Sequence, residues 1–220
     1  MRIISIDKPR GWTSFSVVRF VKEKFQENKV GHLGTLDPLA TGTLPIFLGK
    51  ATRLIPLFNN VDKTYRAIFK LGESTDTFDT EGTITKKSDI SSLNYQDIPA
   101  AIYSFLGEQK QNVPKFSAAK YKGVPFYKLV RKGISVPKKT RKVNFFELDI
   151  EKIELPFIQL SIRCSKGTYV RSMANDLGIM LNVGAHLTSL ERLACGKYFK
   201  ISNSISIEKL KNIVKDEDFP

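Results

Sequence analysis

Gly31-His32-Leu33-Gly34-Thr35-Leu36-Asp37-Pro38-Leu39-Ala40-Thr41-Gly42 is the stretch around which the rest of the chain is organised. It contains a proline, one of the chain's two histidines and a single carboxylate, Asp37, among glycines and apolar residues. Glycine lets backbone approach a ligand closely or take positive φ, and Pro38 disfavours the helical conformation at Asp37. The simplest reading is a shaped loop that presents one acid. Taken alone, an aspartate in a glycine-rich loop reads first as a turn-former.

Working outward, residues 1 to 6 read as a strand that Asp7-Lys8-Pro9-Arg10-Gly11 breaks. Thr13 and Ser14 are placed to cap a helix running to about Gln26, with Val18, Val21 and Phe25 on one face and basic residues on the other. On the far side of the loop, Leu44 to Leu48 is a short apolar run. Lys50 to Phe58 reads as a helix that Pro56 weakens. Residues 63 to 72 alternate, with Tyr65, Ala67, Phe69 and Leu71 on one face and Thr64, Arg66 and Lys70 on the other. That pattern puts the Tyr65 ring on the buried side at the start of a strand.

The following loop, Glu73 to Gly82, gathers Glu73, Asp76, Asp79 and Glu81. Its spacing fails the calcium-loop pattern, so the expectation is a capped turn with solvated acids. Asn94 is expected to cap a helix over 95 to 106. Residues 143 to 154 and 156 to 164 read as two strands. Ser165-Lys166-Gly167-Thr168 reads as a helix start, with Val170, Met173, Ala174, Leu177 and Leu181 as the apolar stripe and Tyr169 and Arg171 in the first turn. A helix N-terminus beside a lysine is a ready anion site. Residues 185 to 201 read as strand and turn, and Ile207 to Val214 as a last helix. Strands and helices mix without regular alternation, so the expected fold class is α+β, a mixed and mainly antiparallel sheet flanked by helices and loops.

A chain of 220 residues is enough for one domain with one core, expected here over 1 to 220. Hydrophobic content of 41% and charged content of 26% are those of an ordinary globular protein. Charge balance is not ordinary, because 35 Lys and Arg against 22 Asp and Glu leave +13, the electrostatic footprint of a nucleic-acid binder. Much of the excess lies in residues 110 to 142, where eleven lysines and arginines alternate with Phe116, Tyr121, Phe126 and Tyr127. Basic and aromatic side chains together suit phosphate contact and base stacking, and equally a solvated basic surface over core aromatics. Cys164 and Cys195 form no CxxC, so neither a zinc site nor a disulfide framework follows. The charged N-terminus does not read as a signal peptide, and a cytoplasmic protein without membrane contact is expected.

No GxxxxGK[ST], GxSxG, HExxH or strand-borne GxGxxG occurs, so phosphoryl transfer, serine hydrolysis, zinc proteolysis and dinucleotide binding have no motif support. One loop-borne acid remains, with arginines and tyrosines that could converge on it.

Residues 31 to 42, with Leu44-Pro45 and Gly49-Lys50-Ala51-Thr52-Arg53 after them, closely resemble the active-site motif of the TruB family of tRNA pseudouridine-55 synthases. Four further blocks agree in order. Asp7-Lys8-Pro9 with Gly11 and Thr13-Ser14 resembles the N-terminal motif, and Lys63-Thr64-Tyr65 the strand bearing the family's tyrosine. Pro114 to Gly123 resembles the start of the RNA-clasping insertion, and Cys164 to Arg171 the arginine motif. The resemblance implies the pseudouridine synthase fold and an enzyme that breaks the N1 to C1′ bond of a T-loop uridine and rejoins the base through C5, without cofactor or metal. It implies Asp37 as nucleophile, Arg171 as the cation holding it ionised, and Tyr65 as the ring stacking on the base and suited to proton removal from C5.

It also implies that His32 touches the RNA and helps keep the base flipped, and that Tyr169 and Leu190 line the uridine pocket. Lys8 and Lys63 are weaker candidates for loop support or phosphate contact. Flipping the base costs a few kcal/mol, which RNA binding by the 110 to 142 segment, expected to be mobile and to close over the T arm, must offset. The chain is expected to act as a monomer and to lack the small C-terminal RNA-binding domain common in the family. A non-catalytic RNA-binding or RNA-folding protein of the same fold, or a synthase with another RNA target, are the alternatives.

Overall fold

The computed structural model describes residues 2–213, so Val214, the expected end of the last helix, lies outside the described residues. In chain order the elements are β1 (Arg2–Lys8), α1 (Ser14–Lys24), β2 (Val30–His32), β3 (Thr41–Leu48), a 3-10 turn Gly49–Leu54 leading into α2 (Ile55–Phe58), β4 (Lys63–Leu71), β5 (Glu73–Thr75) and β6 (Ile84–Lys87). There follow α3 (Asp97–Tyr103), β7 (Gly107–Asn112), β8 (Lys120–Tyr121), β9 (Val124–Pro125), α4 (Phe126–Val130), β10 (Thr140–Glu154) and β11 (Phe157–Cys164). The described chain closes with α5 (Val170–Met180), β12 (Ala185–Cys195), β13 (Phe199–Lys200), β14 (Ile205–Ser206) and α6 (Ile207–Asn212). The class is α+β and mainly antiparallel, as the mixed patterning implies. No helix among the described residues is long and apolar enough to cross a membrane.

Two compact units divide the described chain, residues 2–66 with 190–213 and residues 67–189. In the first unit β1 lies between β14, parallel to it, and β3, antiparallel, and β3 pairs in parallel with β12 at Glu191↔Thr41 and Arg192↔Gly42. Alternation along β1 sends Ile4, Ile6 and Lys8 to the buried side. The run through β3 is buried on both faces, from Gly42 to Leu48, as a central strand of apolar residues requires. Leu33, Phe47, Ala51 and Cys195 form a core cluster closed by Leu54, Ile55, Phe58, Val61 and Phe199. Helix α1 is capped by Thr13 as expected, which accepts from the Ser16 N–H at 2.9 Å, and it buries Ser14, Val17 and Val21, so Val17 rather than Val18 shares the buried face with Val21. The helix expected over residues 50–58 is instead the 3-10 turn followed by the four-residue α2. Pro56 occupies the first turn of α2, where its missing N–H costs nothing.

In the second unit β4 lies between β12 and β11, and β11 continues to β10 and β7. Ile158, Leu160, Ile162 and Cys164 face one way along β11, and Ala67, Phe69 and Leu71 continue the buried face of β4. Helix α5 packs against α3 and β7 and buries Val170, Met173, Ala174 and Leu177. It starts at Val170 rather than at Ser165, because Ser165 to Thr168 is spent on a turn that the Thr168 hydroxyl closes onto the Ser165 carbonyl at 2.8 Å. Lys166 therefore stands outside the helix start it was expected to serve. Asn94 likewise caps no helix directly: its side chain accepts from the Gln96 N–H, and α3 begins at Asp97.

The basic stretch has different bounds from those expected. Strand β7 pairs with β10 up to Asn112↔Thr140, so the excursion proper is residues 113–139, with both ends fixed by one ladder rung. Inside it, β8 and β9 form a small hairpin that leads into α4. Val113, Ala119 and Phe126 make a separate small core, packed by Val136 and Tyr169.

Candidate active site

Asp37 opens a tight turn closed by the Ala40 N–H donating to its carbonyl at 3.1 Å, with Pro38 in the second position where a fixed φ suits the bend. Neighbouring elements fix the loop backbone from several sides. Ser14, expected as a cap, is buried and holds Leu36 at both ends, accepting from the Leu36 N–H at 2.8 Å and donating to its carbonyl at 3.1 Å. The Gly11 N–H donates to the Pro38 carbonyl at 2.8 Å. Lys8, wholly buried, donates to the carbonyls of Trp12 at 2.6 Å, Pro9 at 2.9 Å and Pro38 at 3.4 Å. An ammonium removed from water costs several kcal/mol, and carbonyl dipoles converging on it offset that cost. Leu36 and Leu39 are buried while Asp37 stays half-buried, so apolar anchors on both sides leave the acid at the surface of the fold.

Within the same unit, β2 carries His32, half-buried, with its Nδ1 shielded from solvent and making no hydrogen bond. Burial, and then the Arg192 charge, push its imidazole below the usual 6.5, while the Gly34 backbone pulls the other way. The other histidine, His186 in the second unit, is buried against the Glu73 carbonyl at 3.0 Å, a satisfied structural residue. Lys63 is buried and donates to the Val61 carbonyl at 2.6 Å. Tyr65 lies on the buried face of β4 with 8% of its surface exposed, and Leu190 on β12 has the same exposure. Cys195 also sits here, its thiol pushed up by burial against the opposing pull of Arg192 and Lys63.

The second unit holds the arginine motif. Arg171 is 4% exposed and donates to the carbonyls of Phe116 at 2.7 Å and Thr77 at 3.2 Å. Its guanidinium lies 3.7 Å from the Asp79 carboxylate. Asp79 thereby corrects the reading of the acidic loop. The turn is capped as expected, but Asp79 is buried, accepting from the Thr77 hydroxyl at 2.6 Å and the Glu81 N–H at 3.1 Å.

Tyr169 is held along its backbone by Gln111, whose side chain accepts from the Tyr169 N–H at 2.8 Å and donates to its carbonyl at 2.9 Å. Its ring is flanked by the guanidinium groups of Arg171 at 5.8 Å and Arg141 at 5.9 Å, within cation–π reach. Among the aromatics of the basic stretch, Phe126 is core. Tyr121 is exposed under the Lys122 ammonium at 5.5 Å, and Tyr127 is half-buried under Arg131 at 5.7 Å. Sequence patterning did not single out Gln111, Asp79 or Arg192. A glutamine in an alternating strand and an acid in an acid-rich turn give no local sign of burial.

The family model described as TruB family pseudouridylate synthase (N terminal domain) matches residues 22–170. Curated relatives include tRNA pseudouridine synthase B of Blochmanniella floridana, 44% identical over 216 residues, which are 98% of this chain and 84% of that protein. The tRNA pseudouridine synthase B of Clostridium tetani is 45% identical over 208 residues, 94% of this chain and 72% of that protein. Among solved structures, a chain of the Cbf5–Nop10–Gar1 complex superposes with a TM-score of 0.73 at 28% identity, covering 94% of this chain and 52% of that one. This chain thus spans about half the length of that neighbour. With residues 31–42 and the strand from Lys63 inside the matched region, and relatives 44–45% identical over nearly the whole chain, the chain belongs to the TruB family of pseudouridine synthases.

Proposed function

We propose that the protein is a tRNA pseudouridine synthase that isomerises uridine 55 in the T loop, with residues 1 to 220 as its catalytic domain. The observation that carries this reading is the loop: Asp37 stands half-exposed in a turn whose backbone is gripped at Leu36 and Pro38 by buried side chains. A group held to one position by its backbone reacts without the entropy cost of finding it. Asp37 acts as the nucleophile that frees the base from C1′ and is released again as a free carboxylate when the C5 to C1′ bond forms. The uracil then turns, C5 takes the place of N1 on the sugar, C5 gives up its proton and N1 gains one, so atoms balance with no oxidant or cofactor.

Tyr65 stacks on the base and its phenol is the candidate for the C5 proton. Arg171 supplies the cation of the site, and its contacts to Asp79, Thr77 and Phe116 support a fixed orientation. His32, Tyr169 and Leu190 contact the flipped nucleotide. The exposed lysines and arginines of 113–139, with +13 on the whole chain, support a role in gripping the T arm through phosphates. Lys8 and Lys63 support the loop from inside. The protein works in the cytoplasm as a monomer.

Tritium release from 5-tritiated uridine in a T-arm minihelix tests the reading. Wild type should release tritium stoichiometrically and Asp37→Ala none; release by Asp37→Ala would remove the nucleophile assignment. Mapping pseudouridine in cellular tRNA separates position 55 from other targets.

A further inference from the structure

Arg192 is the largest fully buried side chain in the described structure, 1% exposed, and nothing in the reaction outlined above uses it. A guanidinium in the interior is costly, and replacing a buried ion with apolar groups of like size is often neutral or stabilising. Its surroundings give it a different task. Nε donates to the Thr43 carbonyl at 2.8 Å and Nη2 to the Gly34 carbonyl at 3.1 Å. Those two carbonyls bracket the loop that carries Asp37. A planar fork with fixed donor directions suits two convergent carbonyls, which a lysine cannot match.

Two glycines make this approach possible. Gly34 takes φ +79°, turning its carbonyl inward, and a Cβ there would meet Arg192 Nη1 at 3.3 Å. Gly42 lies opposite Arg192 in the parallel pairing of β3 and β12, and a Cβ there would run into the Arg192 backbone.

We propose that Arg192 is the positioning residue of the Asp37 loop, tying its two ends to β12 so that the acid is presented in one place. Buried beneath the loop, Arg192 does not meet the RNA. It acts on the step that follows binding, and this assignment rests on the reading of Asp37 as the reacting group.

The test uses the full chain with Arg192→Lys, which keeps the charge, and Arg192→Gln, which keeps an amide donor of shorter reach. Hydrogen exchange of the Leu36 and Ala40 amides, both bonded within or against the loop, should quicken by about tenfold or more while the β1–β3 ladder holds. At saturating T-arm minihelix, well below the melting temperature, single-turnover isomerisation should slow by about 100-fold, the cost of an ångström-scale misplacement, with Kd unchanged within about twofold. Unchanged exchange at Leu36 and Ala40 overturns the proposal whatever the activity. So does a rate loss no larger than the loss of folded protein, or a matching loss of affinity.

Should neither variant fold, the wild type decides: the Arg192 Nε–H resonance must exchange slowly and couple through the hydrogen bond to the Thr43 carbonyl, and exchange at the rate of surface arginines overturns the clamp. Full activity of Asp37→Ala, by contrast, removes the reading of Asp37 and leaves the exchange result to judge the clamp alone.

Discussion

Replacing Gly42 with alanine should cost far more than the ordinary price of a side chain in a glycine position. Gly42 has φ +100°, and an added Cβ would lie 2.7 Å from the Arg192 nitrogen and 2.9 Å from its carbonyl carbon, closer than real Cβ contacts allow. The obstruction is backbone in a paired strand, so no side-chain rotation relieves it. Gly11, in the same unit, has φ +84° with nothing within 4 Å of its notional Cβ, and isolates the cost of the dihedral alone. That cost is about 1–2 kcal/mol for an L-residue in the left-handed region. Prising β3 from β12 adds about 2–3 kcal/mol of overpacking strain. At about 3 °C per kcal/mol for a chain of this size, Gly11→Ala should melt roughly 5 °C below wild type and Gly42→Ala roughly 12 °C below. Differential scanning calorimetry, with urea unfolding as a second measure, reads both. Melting temperatures of the two variants within about 2 °C of each other would refute the argument that backbone contact, rather than dihedral strain, dictates glycine at 42.

Asp79→Asn keeps the shape of the buried turn and removes the charge facing Arg171, and should destabilise the protein by about 3 kcal/mol. Urea unfolding checks this, and a loss under about 1 kcal/mol would show that the carbonyls of Thr77 and Phe116 suffice for the guanidinium. His32 supplies a pH dependence. Its folded-state pKa lies below the ordinary 6.5, so the unfolded chain takes up the proton first as pH falls. The contribution of His32 to stability is therefore complete above 6.5 and is lost as pH drops from there toward the folded value. Unfolding measured from pH 7.5 to 5 should show a smaller decline in His32→Gln than in wild type, and parallel curves would contradict the assignment.

Local pattern made much of the fold legible. The alternation of residues 63 to 72 placed Tyr65 on the buried face of β4, where it lies. Alternation located β11, the apolar run of 44–48 marked the buried part of β3 without naming it a strand, and the stripe of α5 was read correctly although its first turn was not. The loop at 31 to 42 announced itself through glycine and proline. One of its supports stayed hidden because it comes from far along the chain: the Arg192 bond to Gly34 spans 158 residues. Distance hid the partners of Arg171 in the second unit in the same way, its bond to Thr77 spanning 94. A buried charge looks in sequence like any other charge, so Asp79 reads as solvated and Arg192 draws no notice until the elements around them are assembled. Composition pointed to nucleic acid through +13, yet it could not distinguish Phe126, a core residue of the excursion, from Tyr121, which is exposed.

The small core of the excursion, Val113, Ala119 and Phe126, includes the Tyr169 ring in its packing. Thermodynamic linkage follows from that shared contact. A ligand that favours the packed arrangement of residues 113–139 also favours the seated ring. Under the proposed function, in which Tyr169 contacts the flipped nucleotide, reciprocity makes that contact tighten the hold of the excursion by the same factor. Phosphate grip and nucleotide contact would then be two readings of one equilibrium, and an RNA that satisfies only one of them would forfeit part of the affinity for the other.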